Sequence, residues 1–129
     1  MIRRRSVPLA LAAVTAAVAV AVPALGAGAT KGTVKVVDVK FTPSTLTLHC
    51  KSAKTCGAKV TWKWNHDVAS HNVDLKSAPK GVKRFKVGGP HGTPTTYRKP
   101  YTYTFRKAGT YRFVCDVHSF MTLKITVKR

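Results

Sequence analysis

The stretch GTYRFVCDVHSFMTLKITV, from Gly109 to Val127, has the clearest secondary-structure pattern in the chain. On both sides of a short turn, apolar and polar residues alternate, which is the pattern of half-buried strands. Tyr111 and Phe113 share one side of the first predicted strand, and Cys115 continues that side. Met121 opens the same kind of series in the second strand. The stretch therefore predicts two strands around a turn, with a thiol and a thioether facing the core.

Apolar residues also recur at every second position in the rest of the chain beyond Lys31. No stretch has a convincing helical period. Pro, Gly and Ser residues separate the apolar runs and mark turns. About eight short strands of this kind predict an all-β fold, a Greek-key β-sandwich or small barrel. The predicted strands are Thr33–Phe41, Thr45–Cys50, Ala58–Trp64, His71–Leu75, Val82–Val87, Tyr101–Arg106, Thr110–Cys115 and Met121–Lys128.

Residues 1–29 differ in composition from the strands. Three arginines at positions 3–5 precede an uncharged Ala/Val/Leu run over residues 7–22, and small residues follow at positions 27–29. This is the layout of a secretory signal peptide. A retained membrane anchor is the alternative, but the run is short for a span and Pro8 interrupts it. We predict a signal peptide over 1–29 and one exported domain over 30–129.

The exported domain would be strongly basic. The whole chain has 129 residues with 23 Lys+Arg against 4 Asp+Glu, and removing three arginines leaves 20 − 4 = +16. On sandwich strands, dispersed lysines usually form a solvated face. Their summed field nevertheless favours encounter with an acidic partner or an anionic cell surface. The domain has no recognisable nucleic-acid-reading element, is too small for a typical two-domain enzyme, and is expected to be monomeric.

Three cysteines leave one unpaired after any disulfide. Cys50 and Cys56 bracket a five-residue turn between two predicted strands, and we predict that they are bridged. The loop-entropy model gives so short a bridge about 2 to 2.5 kcal/mol. Cys115 is then the free thiol, and an exported free thiol is expected to be buried or bound to something.

Metal-ligand side chains surround that thiol. Cys115, His118 and Met121 lie within seven residues, and a second imidazole is available from His71. Two His, one Cys and a weak axial Met form the ligand set of a blue-copper site. Thiolate and thioether suit Cu(I), and imidazole serves both oxidation states. Taken singly, His71 could be a structural histidine and Met121 an ordinary core residue. The prediction of a metal site therefore depends on all four side chains occurring together.

Several segments carry a family resemblance. They are the Val-Thr-Trp strand at 60–62, the segment from Asn65 to Val73, the Gly-Thr-Tyr-x-Phe-x-Cys sequence at 109–115, and the Cys-x2-His-x2-Met ligand loop. Over most of residues 33–128 the chain resembles the cupredoxins, the blue copper proteins, and among them the amicyanin, pseudoazurin and plastocyanin group. The resemblance implies a copper-binding sandwich that carries single electrons and is not an enzyme.

The resemblance also implies residue roles. His71, Cys115 and His118 would be equatorial ligands of one copper ion, and Met121 the axial ligand.

The resemblance also implies roles for residues that lie next to the ligands. Asn65 would tie the ligand loop near the Cys, and the N–H of Asn72 would donate to the Cys sulfur. Val117 and Phe120 would supply an apolar docking patch beside the second histidine. Asp116 departs from the Ser or Thr common in the family, and a carboxylate there should favour Cu(II) and lower the reduction potential.

The leading hypothesis is therefore an exported type 1 copper protein that passes electrons to and from an extracytoplasmic redox partner, expected to be acidic. A module that buffers or delivers copper can use the same ligands. A metal-free basic sandwich that adheres to polyanions is a third hypothesis, and it requires Cys115 to be only a buried thiol.

Overall fold

The fold was analysed in a computed structural model, which describes residues 28–64, 71–88 and 99–129. Those residues form nine β-strands and no helix. None of the described segments is a helix long and apolar enough to cross a membrane. The strands are β1 (Lys31–Val37), β2 (Lys40–Thr42), β3 (Thr45–His49), β4 (Ala58–Trp64), β5 (Asn72–Ser77), β6 (Lys86–Gly88), β7 (Tyr101–Phe105), β8 (Gly109–Val114) and β9 (Thr122–Lys128).

The strands form two sheets, which confirms the predicted all-β sandwich. One sheet has the order β2-β1-β4-β7 and the other the order β3-β9-β8-β5-β6. β1 pairs with β4 and β3 with β9 in parallel, whereas the remaining neighbours are antiparallel. β6 and β7 are therefore edge strands of different sheets.

The core follows from the alternation of apolar side chains. Trp62 of β4 is fully buried and lies at its centre. Its indole packs edge-on against Phe113 of β8, with ring centroids 5.1 Å apart, and stacks on Tyr101 of β7 at 6.0 Å. Cys115 and Met121 are also buried, as the extended alternation predicted. The packing that joins the two sheets thus also buries the Cys115 thiol and the Met121 thioether in the core.

Two predicted strand boundaries were wrong. The predicted strand Thr33–Phe41 is two strands, because Asp38 and Val39 both have positive φ, 46° and 53°, and turn the chain back on itself. The consecutive apolar residues Val36 and Val37 shift the phase of the alternation just before this turn, and the sequence analysis treated the stretch as one strand. The predicted strand Val82–Val87 is regular only at its end, where β6 begins at Lys86.

A buried tyrosine fixes the turn between β7 and β8. The phenol of Tyr111 donates a hydrogen bond of 2.8 Å to the carbonyl oxygen of Lys107. Burial of the ring raises the pKa of Tyr111 to about 12, so it stays a neutral donor at physiological pH. The turn at the end of the sandwich opposite Cys115 is thereby tied to the core.

The predicted bridge between Cys50 and Cys56 is present, and Cys115 is the free, buried cysteine. The bridge closes the turn between β3 and β4, where the Lys51 N–H also donates to the Cys56 carbonyl at 2.8 Å. Inside the turn, the Ser52 hydroxyl accepts from the Thr55 N–H at 2.9 Å.

We predict that the double variant Cys50→Ala/Cys56→Ala keeps the fold but loses about 2 kcal/mol of unfolding free energy, because only a short loop is released in the unfolded chain. Denaturant unfolding measures the change. Ser52→Ala, which removes two exposed hydrogen bonds to the Thr55 backbone in the same turn, should cost distinctly less. Equal losses in the two variants would show that the cross-link itself contributes nothing.

Candidate metal centre

Three predicted ligands converge at one end of the sandwich. The ligand atoms of His71, Cys115 and His118 all lie within 4.8 Å of one another, a spacing that suits one metal ion. The Cys115 Sγ is 3.9 Å from the His118 Nδ1, and the two imidazole centroids are 4.9 Å apart. His71 and Cys115 are fully buried, and His118 is half-buried.

We call the segment from Cys115 to Met121 the ligand turn. The hydrogen-bond ladder between β8 and β9 continues into this turn. The Cys115 N–H donates to the Met121 carbonyl at 3.0 Å, and the Met121 N–H donates to the His118 carbonyl at 2.9 Å. These two bonds close the seven-residue segment from Cys115 to Met121. The Met121 side chain is 1% exposed and lies at the base of the turn. The backbone hydrogen bonds thus fix the positions from which the Cys115 and His118 side chains project.

His71 reaches the site from the other side, immediately before β5. The indole Nε1 of Trp64 donates to the His71 carbonyl at 3.2 Å within the core. Gly88 of β6 has a φ of 113°, and a Cβ there would lie 2.7 Å from the His71 carbonyl oxygen. Glycine therefore lets β6 approach this backbone closely, which holds the first residue of the site in place.

Asn72 joins β5 to the ligand turn through two hydrogen bonds. Its backbone N–H lies 3.5 Å from the Cys115 Sγ, the contact that the resemblance implies. Its side-chain Oδ1 accepts from the Asp116 N–H at 2.9 Å, a role that sequence analysis missed. The other predicted loop-tying residue, Asn65, lies outside the described residues. In the described part, Asn72 holds both the sulfur and the next peptide.

Asp116 belongs to an ionic cluster of two acids and two lysines beside the thiol. The Lys76 ammonium lies 2.7 Å from the Asp74 carboxylate and 3.2 Å from that of Asp116. The Lys86 ammonium contacts Asp116 closely and lies 3.7 Å from Asp74. Sequence analysis missed this cluster. The scarcity of acids was the available signal, since Asp74 and Asp116 are two of only four in the chain.

The lysines change the electrostatics of Asp116. The hydrogen bond from Lys86, and after it that from Lys76, lowers the pKa of Asp116 from 3.8 to about 2, although partial burial opposes the shift. Because the folded-state pKa is lowered, this contribution to stability is complete above pH 3.8 and is lost as the pH falls toward 2. At neutral pH the carboxylate next to Cys115 is therefore charged and paired.

The two predicted docking residues differ in exposure. Phe120 is 71% exposed, and its ring centroid is 5.9 Å from that of His118. Val117 is half-buried and packs against the core. The apolar surface beside the imidazole is thus mainly the Phe120 ring.

The donor set narrows the metals that the site fits. One thiol and two imidazoles are soft and borderline donors, which suit copper better than hard cations. The nearest carboxylate, Asp116, is committed to two lysines. A buried thiol between two imidazoles, fixed by backbone hydrogen bonds, fits a resident copper ion.

Comparison with known proteins agrees with this chemistry. A family model for copper binding proteins of the plastocyanin/azurin family matches residues 29–128. Amicyanin-alpha from Methylorubrum extorquens is 35% identical over 125 residues, which cover 92% of this chain and 93% of that protein. Amicyanin from Paracoccus denitrificans is 34% identical over 94 residues, 72% of this chain and 64% of that protein.

Solved structures support the fold. An oxidised amicyanin variant superposes with a TM-score of 0.53 at 27% identity, covering 87% of this chain and 89% of that chain. A copper-containing nitrite reductase from Thermus scotoductus gives a TM-score of 0.56 at 25% identity over 85% of this chain, but this is 25% of the reductase.

Fold and donor set together define a small copper protein of the cupredoxin class. The chain belongs to the plastocyanin/azurin family of copper-binding proteins. It is an amicyanin-like blue copper protein, an electron carrier that binds one copper ion.

The ionic cluster predicts opposite effects on the reduction potential. Asp116→Ser removes a negative charge near the copper, destabilises Cu(II) and should raise the potential. Lys86→Met leaves the Asp116 charge less compensated and should lower it. Voltammetry of both copper-loaded variants measures the order.

The control is Lys35→Met, which removes a lysine from the exposed side of β1 and should leave the potential nearly unchanged. An unchanged potential in Asp116→Ser would refute the electrostatic role of this carboxylate.

Proposed function

We propose that His71, Cys115 and His118 are the equatorial ligands of the copper ion and that Met121 is its axial ligand. The observation that carries this assignment is the convergence of the three ligand atoms within 4.8 Å. Met121 is supported by its burial and by its backbone bonds to Cys115 and His118. When bound, copper supplies a couple between Cu(I) and Cu(II).

The protein's part is to hold the donors still. Cys115 and His118 are tied through the hydrogen bonds of the ligand turn, and Asn72 contributes an N–H near the sulfur. A donor set fixed by a rigid sandwich rearranges little when one electron is added or removed, so transfer is fast. The N–H near the sulfur and the apolar packing around it help to set the potential.

Electrons enter and leave, in this proposal, at the His118 edge. The imidazole is half-buried, so one edge of the ring is accessible to a partner. The exposed Phe120 ring beside it provides an apolar contact. Val117 contributes less because it already packs against the core.

We place the protein outside the cytoplasm, with residues 1–29 as a signal peptide and a monomeric domain over 30–129. Its partner in this proposal is an extracytoplasmic redox protein. Without the three arginines of residues 1–29, the domain has 20 Lys+Arg against 4 Asp+Glu, and this excess favours an acidic partner and association with an anionic cell surface. Metal-free adhesion does not account for the convergence of three ligand atoms, and the likeness to amicyanins favours electron transfer over copper buffering by the same ligands.

Cys115→Ser tests the ligand assignment. Removing the thiolate from the centre of the site should abolish stoichiometric copper binding, while the core packing and the near-UV circular dichroism stay unchanged. Metal analysis after gel filtration measures the loss.

The matched control is Cys50→Ser/Cys56→Ser, which removes the other two cysteines and should retain one copper per chain. Copper retained at full stoichiometry in Cys115→Ser would overturn the assignment.

Phe120→Glu tests the docking edge. A charged side chain in place of the exposed Phe120 ring should slow electron exchange with the physiological partner by about tenfold. The charge would have to lose its water to enter an apolar contact from which water is excluded. Stopped-flow kinetics measures the rate, and voltammetry of the same variant separates slower docking from a change in driving force caused by the new charge.

Thr47→Glu adds the same charge on β3, away from His118, and serves as the control. Equal slowing by both variants would mean that total charge, and not this edge, governs docking.

A further inference from the structure

A cavity of about 420 Å³ lies away from the metal centre, against the edge strand β7. Its other wall is the segment 81–85, which leads into β6, the edge strand of the second sheet. The volume lies within the range of small-molecule sites, about 300 to 1,000 Å³. We refer to this cavity as the flank groove.

Aromatic rings form the apolar part of the flank groove. Phe85 stacks on Tyr103 with centroids 4.6 Å apart and an interplanar angle of 26°. Tyr101 lies 5.7 Å from Phe85 and rests on the buried indole of Trp62. All three groove rings are half-buried, so part of their surface faces the groove. Such surfaces favour contact with another planar ring.

Cations stand on both walls of the flank groove. Lys83 and Arg84 belong to the loop wall and are exposed, while Arg106 and Lys107 follow β7. None of the described residues lining the groove is acidic. The groove is therefore positive and has no carboxylate of its own to neutralise it.

The loop wall is fixed before any ligand arrives. The Val82 N–H donates to the Pro79 carbonyl at 3.1 Å, and Gly81 supports this turn with a φ of 82°. The Lys107 ammonium donates to the Lys80 carbonyl at 2.8 Å. At the other end, the Leu75 N–H donates to the Phe85 carbonyl at 3.0 Å. A wall fixed at both ends loses little conformational entropy on binding.

We propose that the flank groove binds a small planar aromatic anion, such as an aromatic sulfonate or carboxylate. The ring packs on Phe85 and Tyr103, and the anionic group lies between the cations of the two walls. The cavity holds a molecule of one or two rings, and its aromatic surfaces match a ring better than a solvated acidic segment. This site is independent of the copper ligands.

The test uses the full chain and naphthalenesulfonate in isothermal titration calorimetry at physiological salt. One molecule per chain is expected to bind, and Lys83→Met/Arg84→Met should weaken binding by about tenfold or more, because two charge-assisted contacts are lost. Lys35→Met/Lys63→Met removes the same charge from exposed positions on β1 and β4, which do not line the groove. This control should bind as the unsubstituted protein does.

Three results would overturn the proposal. They are absence of saturable binding, equal weakening in both double variants, and groove-dependent binding of a polyglutamate peptide with none of naphthalenesulfonate. The last result would assign the groove to an acidic protein segment. Because copper content is measured separately, failure here leaves the proposed electron carrier intact.

Discussion

The two backbone hydrogen bonds that close the ligand turn are the constraint on which the site depends. They run from the Cys115 N–H to the Met121 carbonyl and from the Met121 N–H to the His118 carbonyl. The first bond extends the ladder between β8 and β9, and the second closes the turn from His118 to Met121, so strand pairing and this turn together set the backbone positions of three proposed ligands. His71 is then the one ligand that must be brought from another strand, and Trp64, Gly88 and Asn72 hold it there.

The distribution of charge divides the molecule into two regions. Near the thiol, two of the chain's four acidic residues are neutralised by Lys76 and Lys86. At the flank groove, cations stand together without a described acidic neighbour. The cluster of Asp74, Asp116, Lys76 and Lys86 thus carries no net charge, whereas the described lining of the flank groove is positive.

Much of the fold and of the site was predictable because both depend on local pattern. The alternation around Cys115 and Met121 gave their burial, and the Cys-x2-His-x2-Met spacing placed three candidate ligands in one turn. The break at Asp38 and Val39 was missed because its signal in the sequence is small, a single shift in the phase of the alternation at Val36 and Val37. The lysines that pair with Asp116 were missed because they come from β5 and β6, and only pairing of the strands brings them together. Long-range contacts of this kind leave no local signal.

In the proposed site, one copper ion bound through Cys115 cycles between two oxidation states while the protein around it stays rigid. Titration of the protein with Cu(II), followed by visible absorption and electron paramagnetic resonance, is the decisive measurement. We expect an intense blue thiolate-to-copper band that saturates at one copper per chain and disappears and returns on reduction and reoxidation. A colourless protein, or copper bound without a thiolate band, would contradict it.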